Sequence, residues 1–473
     1  MANNYDPVDL LNAVLRNDLS SFIQRVFGTI DSGSIYQHNW HIDAIACQLG
    51  RIESGENTRL IITMPPRSLK SIAASVAFPA WLLGRNPRKR ILSVSYAEGL
   101  SEKFAHDCLK VINAPWYRDC FPAMRIAKGR GARGDFETTR GGGRFSTSVG
   151  GTLTGRGGDV IVIDDPHKPE EAGSEVKRKA VLDWYRTTLL SRLNDPRTGP
   201  VIVIQQRVHE DDLAGMLLEQ GGWVHLDLPA IAEGMTEIDL GRKGVINRQD
   251  GDLLHAFRLP RELLEQRKKE LGSYVFAAQY QQRPAPLGGG IVKWNWFATY
   301  ECPPERKGAA QIVQSWDTAS TAGEANDYSV CTTWLVIRND AWLLDLYRAK
   351  LEFPDLRRKV LSEAQRWKAG LVLIEKAGSG IQLIQDLNRN TGLNIRGVVP
   401  QLDKATRLVV VTPVIEGGRI ALPTEAPWLA EFRRELALFP NGKHDDQVDS
   451  LSQFLNWLDE PKNYPLCGTY GVG

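Results

Sequence analysis

Leu60–Ser71 reads LIITMPPRSLKS. Leu60, Ile61 and Ile62 form a short apolar run that predicts a buried strand. Pro65 and Pro66 end it, because proline fixes φ and has no N–H to donate, so the chain turns. Lys70 and Ser71 follow, and SIAASVAFPAWLL supplies the small and apolar residues of a packed helix. Strand, tight loop, Lys-Ser and helix is the layout of a phosphate-binding loop. In such a loop the backbone N–H groups at the helix start face the phosphates, the lysine reaches the outer phosphates and the hydroxyl holds Mg²⁺. The usual pattern, G-x-x-x-x-G-K-[ST], has glycine where this chain has Met64 and Leu69. A left-handed leucine is costly, so the expectation is a loop that bends differently or gives up some amide contacts. Taken alone, the segment fits a proline turn with a solvated lysine equally well.

A second stretch changes that balance. VIVIDDP, Val160 to Pro166, is a run of β-branched residues with two carboxylates at its end. In open α/β sheets ligands gather beyond the carboxyl ends of the strands. Asp164 is therefore expected to hold Mg²⁺ through water, and Asp165 to orient or deprotonate the attacking water. Such a strand about ninety residues after a Lys-Ser loop is the pair a nucleotide hydrolase needs. A third strand, VIVIQQR, ends in Gln205 and Gln206, which either sense the γ-phosphate or simply finish the strand. Upstream, in YQHNW, Gln37 reads as a hydrogen-bond partner for adenine and Trp40 as core. Between the two motifs lies KGRGARGDFETTRGGGRFSTSVGGTLTGRGG, with a hairpin expected from Phe136 to Phe145. It reads as a flexible surface loop, as a basic element near an anionic ligand, or as both. Residues 6 to 28 predict one or two amphipathic helices burying Leu10, Leu11, Val14, Leu15, Phe22, Val26 and Phe27.

The chain has 473 residues, 42% hydrophobic and 24% charged, which suits two or three globular domains. Its formal charge of +2 excludes a strongly basic tail, so any nucleic-acid contact must come from local patches. Six cysteines are scattered without a CxxC pair, which argues against a zinc knuckle or a disulfide framework and for a reducing compartment. The start, MANNYDPVDLLNAVL, lacks a signal-peptide pattern, and no run is apolar enough to span a membrane, so an intracellular soluble protein is expected. RPAPLGGG, Arg283 to Gly290, is the clearest boundary. The expected organisation is a first domain over 1–282 with a helical lead-in over 1–55, a linker over 283–290, and a second domain over 291–473.

The second half predicts a strand carrying Asp317, two more strands joined at Asn339-Asp340, a helix over 354–368, and LVLIE, a buried strand ending in Glu375. The closing helix, HDDQVDSLSQFLNWL, holds Asp445, Asp446 and Asp449 in its first turn, with Asp449 on their face. Capping explains acids at a helix start; it does not explain Asp317 and Glu375 at the ends of apolar strands. Converging carboxylates need a cation or take up protons. Two Mg²⁺ or Mn²⁺ ions about 3.5–4 Å apart would satisfy them and support in-line attack on a phosphodiester. Ligands that are all oxygen favour these hard metals over zinc. Asp327 is a weaker candidate and reads as a turn residue.

With both sets in view, the chain resembles the large terminase subunit of tailed double-stranded DNA bacteriophages or prophages. The segments that carry the resemblance are, in order, YQHNWH, LIITMPPRSLKS, VSYAEGLSEKF, LTGRGGDVIVIDDP, VIVIQQRVHEDDLAG, YVFAAQYQQRPAPLGGG, SWDTAS, IEKAGSG and KHDDQVDSL. The resemblance implies an α/β protein in which a P-loop (ASCE-type) ATPase domain precedes a ribonuclease-H-like nuclease domain. It implies ATP and Mg²⁺ at the first site and two Mg²⁺ or Mn²⁺ at the second. The implied partners are double-stranded DNA, a small terminase subunit and the portal of the procapsid, with a homo-oligomeric ring when docked and a monomer otherwise possible. The implied setting is the bacterial cytoplasm, with transient docking on the procapsid and absence from the mature virion. Arg67, Lys70 and Ser71 match the family's phosphate-loop arginine, lysine and hydroxyl, Ser68 is a further nucleotide-binding candidate in that loop, and Asp164 matches the Mg²⁺-side carboxylate. Asp165 stands where many relatives carry glutamate, and Leu69 where glycine is frequent. Arg156 resembles an arginine finger between neighbouring subunits. Asp317, Glu375 and the HDD acids match the nuclease ligands; Asp445 and Asp446 compete for direct binding, and Asp449 is either a ligand or a support for one. Two further readings are an ATPase-nuclease of DNA repair or transposition, and a DNA-bridging module with an inactive phosphate loop. ATP turnover stimulated by proheads separates packaging from repair; no turnover under any condition favours the bridging module.

Overall fold

The computed structural model describes residues 6–132, 135–153, 155–284, 290–318, 328–442 and 444–460. Its contacts divide the chain into two units: Met1–Lys268 with Ser273–Ala285, and Lys269–Gly272 with Pro286–Gly473. Asp327 lies outside the described residues.

The first unit is built on eight strands: β1 (Arg59–Thr63), β2 (Arg90–Ser95), β3 (Ile126–Ala132), β4 (Asp135–Thr138), β5 (Gly143–Ser148), β6 (Val160–Asp164), β7 (Val201–Gln205) and β8 (Val224–Asp227). They run in the order β3-β4-β5-β2-β6-β7-β1-β8, parallel from β5 to β8. The central strands are buried on both faces, which is why they read as continuous Ile/Val runs. Two apolar clusters cover the sheet, one containing Ile62, Val162 and Ile204 and the other Ile61, Ile163 and Val203. The expected hairpin pairs Phe136 with Arg144. A small ribbon, β9 (Thr236–Asp239) and β10 (Val245–Arg248), completes the unit.

The lead-in helices are Pro7–Asn17 and Leu19–Ile30. Leu15, Phe22, Val26 and Phe27 are buried as expected, whereas Leu10, Leu11 and Val14 are exposed. The periodicity was right about the helix, but among the described residues nothing covers that stripe of its surface.

The second unit carries β11 (Ala298–Tyr300), β12 (Gln311–Asp317), β13 (Ser329–Ile337), β14 (Asp340–Ala349), β15 (Leu371–Glu375), β16 (Ile395–Val398) and β17 (Ile420–Pro423). Their order is β11-β17-β14-β13-β12-β15-β16. The β12-β13-β14 meander is antiparallel, and β15 lies parallel to β12 with Ile374 beside Trp316. One residue further, Asp317 and Glu375 therefore leave neighbouring strand ends together. The closing helix, Asp446–Asp459, packs on β12 and β13 with Phe454 stacked on Trp334 at 4.2 Å.

Candidate functional sites

In the first unit the chain leaves β1 through Met64–Leu69 and re-enters helix at Lys70. Ile72–Ala77 is wound as a π-helix before α-helix resumes at Phe78–Arg85. Single π turns of this kind recur at functional sites. Contrary to expectation, the loop does not avoid the left-handed region: Arg67 has φ 59° and Leu69 φ 63°. Each costs about 1–2 kcal/mol relative to a right-handed residue, strain the surrounding packing must hold. Leu69 packs against the core, and its carbonyl accepts from Ala73 N at 3.0 Å.

Lys70 Nζ meets Asp165 Oδ1 at 2.8 Å with the lysine almost fully buried. Ser71 Oγ and Ser75 Oγ donate to the two oxygens of Asp164 at 3.1 and 2.7 Å. Burial, then the charge of Asp165, pushes Asp164 up to about 7 against the pull of Lys70 and the serines. Asp165 stands just past the strand with φ 43° and accepts Gln206 N at 2.9 Å. Lys70, Ser71, Asp164 and Asp165 thus form one group, and Ser75 joins it. Spacing from Lys70 could have flagged Ser75, since it follows Ser71 by one helical turn.

Other expected members stand around this group. Ser68 is buried and Arg67 exposed. Gln37 is half-buried, and its backbone meets the His255 ring, which lies 5.7 Å from that of His41. Trp40 is partly buried on the core beneath Arg248. Gln205 is fully buried, and among the described residues neither of its side-chain polar atoms has a hydrogen-bond partner. Arg156 is ion-paired to Asp135 and lies 5.7 Å from the Phe145 ring centre, so any action on a neighbouring subunit requires it to leave that pair. Behind β7, Arg207 is locked on Asp212 by Nε bonds of 2.9 and 3.0 Å. Gly215 must be glycine there, because a Cβ would come within 1.8 Å of the Glu210 carbonyl oxygen.

In the second unit a polar seam sets the closing helix over β12. Ser450 Oγ donates to Ser315 O at 2.8 Å and meets Thr332 Oγ1 at 2.8 Å, while Gln453 Nε2 reaches Ser315 Oγ at 2.9 Å. Glu435 holds the helix N-terminus by accepting Gln447 N at 2.7 Å. The seam fixes Asp446 and Asp449 near Asp317. Burial, then the charges of Asp449, Glu375 and Asp446, push Asp317 well above the carboxylate range. Burial likewise raises Asp449 to about 6 and raises Asp446. Asp446 Oδ2 is buried without a hydrogen-bond partner. Gly380, after β15, would clash as any other residue, its Cβ 2.1 Å from Glu375 O.

Two cations missed by sequence reasoning come from the helix Lys404–Glu416. Arg407 bonds Glu375 at 3.1 Å and Asp449 at 3.0 Å, and Lys404 bonds Asp445 at 2.8 Å and Asp449 at 2.6 Å. Among the described residues no three His, Cys, Asp or Glu form a group that could hold a metal ion as they stand. The donor chemistry nevertheless fits a hard divalent ion: all ligands are oxygens, and among the described residues no cation is bonded to Asp317 and one Asp446 oxygen is buried without a hydrogen-bond partner.

Residues 314–458 match the family model of the terminase RNaseH-like domain. No curated protein matches the sequence. Among solved structures, the large terminase from the thermophilic bacteriophage D6E is 10% identical, with 87% of this chain and 98% of that chain covered and a TM-score of 0.50. The HK97 bacteriophage large terminase is 10% identical over 86% of this chain and 90% of that chain, at a TM-score of 0.37. The large terminase nuclease from the thermophilic phage G20c with bound magnesium is 15% identical over 36% and 98%, at 0.29. The second unit therefore carries a ribonuclease-H-like domain of terminase type. Over most of its length the chain shares the mixed α/β fold of the D6E large terminase.

Proposed function

We propose that this chain is a DNA-packaging motor: it hydrolyses ATP to drive double-stranded DNA into a procapsid and cuts concatemeric DNA with a metal-dependent endonuclease. The observation that carries the reading is the gathering of Asp317, Glu375, Asp446 and Asp449 within a terminase-type domain, in a chain whose other unit joins Lys70 and Ser71 to Asp164 and Asp165.

In the first unit ATP displaces Lys70 from Asp165, and the lysine pairs with the outer phosphates while Arg67 and the Ser68–Lys70 amides meet the rest. Ser71 and Asp164 would hold Mg²⁺. Asp165, freed of Lys70, accepts a proton from or orients the attacking water. Gln37 bonds the adenine, and Arg156 exchanges Asp135 for the γ-phosphate in the adjacent subunit. In the second unit Asp317, Glu375 and Asp446 would hold two Mg²⁺ or Mn²⁺ ions, with Asp445 and Asp449 beside them. Metal held there would lower the pKa of its bound water and stabilise charge on the cleaved phosphodiester. The motor works with a small terminase subunit, as a ring on the portal, in the host cytoplasm. Among the described residues no helix is long and apolar enough to cross a membrane.

Supercoiled-plasmid nicking with Mg²⁺, Mn²⁺ or chelator, run beside an ATPase assay with and without proheads, tests the reading. Chelator-sensitive nicking and prohead-stimulated turnover are expected; nicking indifferent to chelator, or turnover indifferent to proheads, would count against it.

A further inference from the structure

The helix Lys404–Glu416 presents two cations one turn apart, and both point at the nuclease carboxylates. The bonding pattern is interlocked. Arg407 Nη1 donates to Glu375 Oε2 and Nη2 to Asp449 Oδ1, at 3.1 and 3.0 Å. Lys404 Nζ bridges Asp445 Oδ1 and Asp449 Oδ2, at 2.8 and 2.6 Å. Both oxygens of Asp449 are thus taken, each by a different cation, and each cation joins two acids. The helix cannot drift: Asp403 caps it through Thr406 N at 3.1 Å, and Leu408, Val411, Val414 and Ile415 are buried beneath it.

A permanent brace would keep both oxygens of Asp449 and one each of Glu375 and Asp445 engaged, so a divalent ion would have to share those oxygens or displace the cations. Two cations bond directly to three of the five acids (Asp317, Glu375, Asp445, Asp446, Asp449), Arg348 and His444 act on Asp446 from further off, and among the described residues one buried Asp446 oxygen has no hydrogen-bond partner. The arrangement holds the acids together without bonding a cation to all five.

Resting on the metal-dependent nuclease reading, we infer that Lys404 and Arg407 are exchangeable counterions of this centre: they hold Glu375, Asp445 and Asp449 when divalent metal is absent and yield those oxygens when it binds. No bond is made or broken in the exchange; four charge-assisted hydrogen bonds give way to coordination. The cations therefore compete with metal and restrain the nuclease at low metal concentration.

The test is Mn²⁺ binding to the full chain without nucleotide, read from the spin resonance of free Mn²⁺, so that cleavage plays no part. Arg407→Gln is expected to tighten Mn²⁺ binding roughly tenfold, in the ordinary range of coupling between two ligands of one site. Lys404→Gln, whose side chain is 49% exposed and so safer for folding, is expected to tighten it less. Arg407→Lys is expected to fall between wild type and Arg407→Gln. Unchanged or weaker binding in both glutamine variants would overturn the inference. A second readout separates exchange from a mere change of charge. Saturating Mg²⁺ should shift the Arg407 guanidinium ¹⁵N signals of the wild type, assigned by their loss in Arg407→Gln; signals unmoved by Mg²⁺ would also overturn it. Asp317→Ala serves as the control on the underlying reading. If it binds Mn²⁺ like the wild type, the metal centre itself is wrong and the inference falls with it; if it loses Mn²⁺ while Arg407→Gln does not tighten, only the inference fails.

Discussion

The two acid groups of this chain both sit at the carboxyl ends of buried strands, yet they are held in opposite ways. Asp164 and Asp165 are consecutive, and their partners Lys70, Ser71 and Ser75 lie on one short stretch after the phosphate loop. Asp317, Glu375 and the acids of the closing helix come from three elements, and their cations from a fourth. In the first group a ligand needs only to capture one lysine. In the second it must break an interlocked set of ion pairs. The difference teaches that a site assembled from two elements, one loop and one strand end, can be held by a single lysine, whereas a site assembled from four can be restrained by an interlocked set of ion pairs.

The largest effects should separate the two groups. Asp317→Ala is expected to lower metal-dependent nicking by about 10²–10³-fold and leave ATP turnover intact, and Lys70→Ala to do the reverse. Loss of both activities from either substitution would break the comparison. Next in size is a buried pair with no ligand to await. Asp212→Ala strands Arg207 and should cost about 3–5 kcal/mol in denaturant melts, with no recovery on adding ATP or Mn²⁺. Recovery would show that this pair belongs to a site after all.

Acid should then pull the two units apart. Burial lowers His41 to about 3 and His167 and His209 to about 4, against 6.5 in an open chain. Between about pH 6.5 and 4 the unfolded chain therefore binds more protons at these three sites, and the first unit loses stability as pH falls, with Asp164 opposing in part. In the second unit Asp317, Asp446 and Asp449 are raised, so the folded form binds more protons and metal-free acidification favours it. Two melting transitions that move in opposite directions with pH would sharpen the comparison; parallel movement would contradict it. The smallest effect is at Leu69. Leu69→Gly relieves left-handed strain but loses apolar contact, so the melt should shift by no more than about 1 kcal/mol.

Local pattern explains what the sequence made legible. Ile/Val runs marked β1, β6, β7 and β15, and the turn at Asn339-Asp340 marked the meander. Burial did not follow from periodicity at Leu10, Leu11 and Val14, because an apolar stripe says nothing about whether a partner covers it. Lys404 and Arg407 sit in QLDKATRL, where a lysine and an arginine at a helix start read as solvated. Their role depends on which helix face meets three distant elements, which no local spacing encodes. Ser315, Thr332, Ser450 and Gln453 were invisible for the same reason: a polar seam buried between strand and helix looks like surface in one dimension. Arg156 stood out by its motif, but its ion pair with Asp135 became visible only in the fold.

The central claim is that this chain holds two separate cation-dependent acid centres. Crystals grown with Mn²⁺ and a non-hydrolysable ATP analogue would test it most directly, through anomalous scattering. The account predicts Mn²⁺ beside Ser71 and Asp164 with the analogue, and Mn²⁺ among Asp317, Glu375 and Asp446 with Arg407 no longer bonded to Glu375 and Lys404 no longer bonded to Asp445 and Asp449. Mn²⁺ at neither acid group, or an analogue bound away from Lys70, would contradict it.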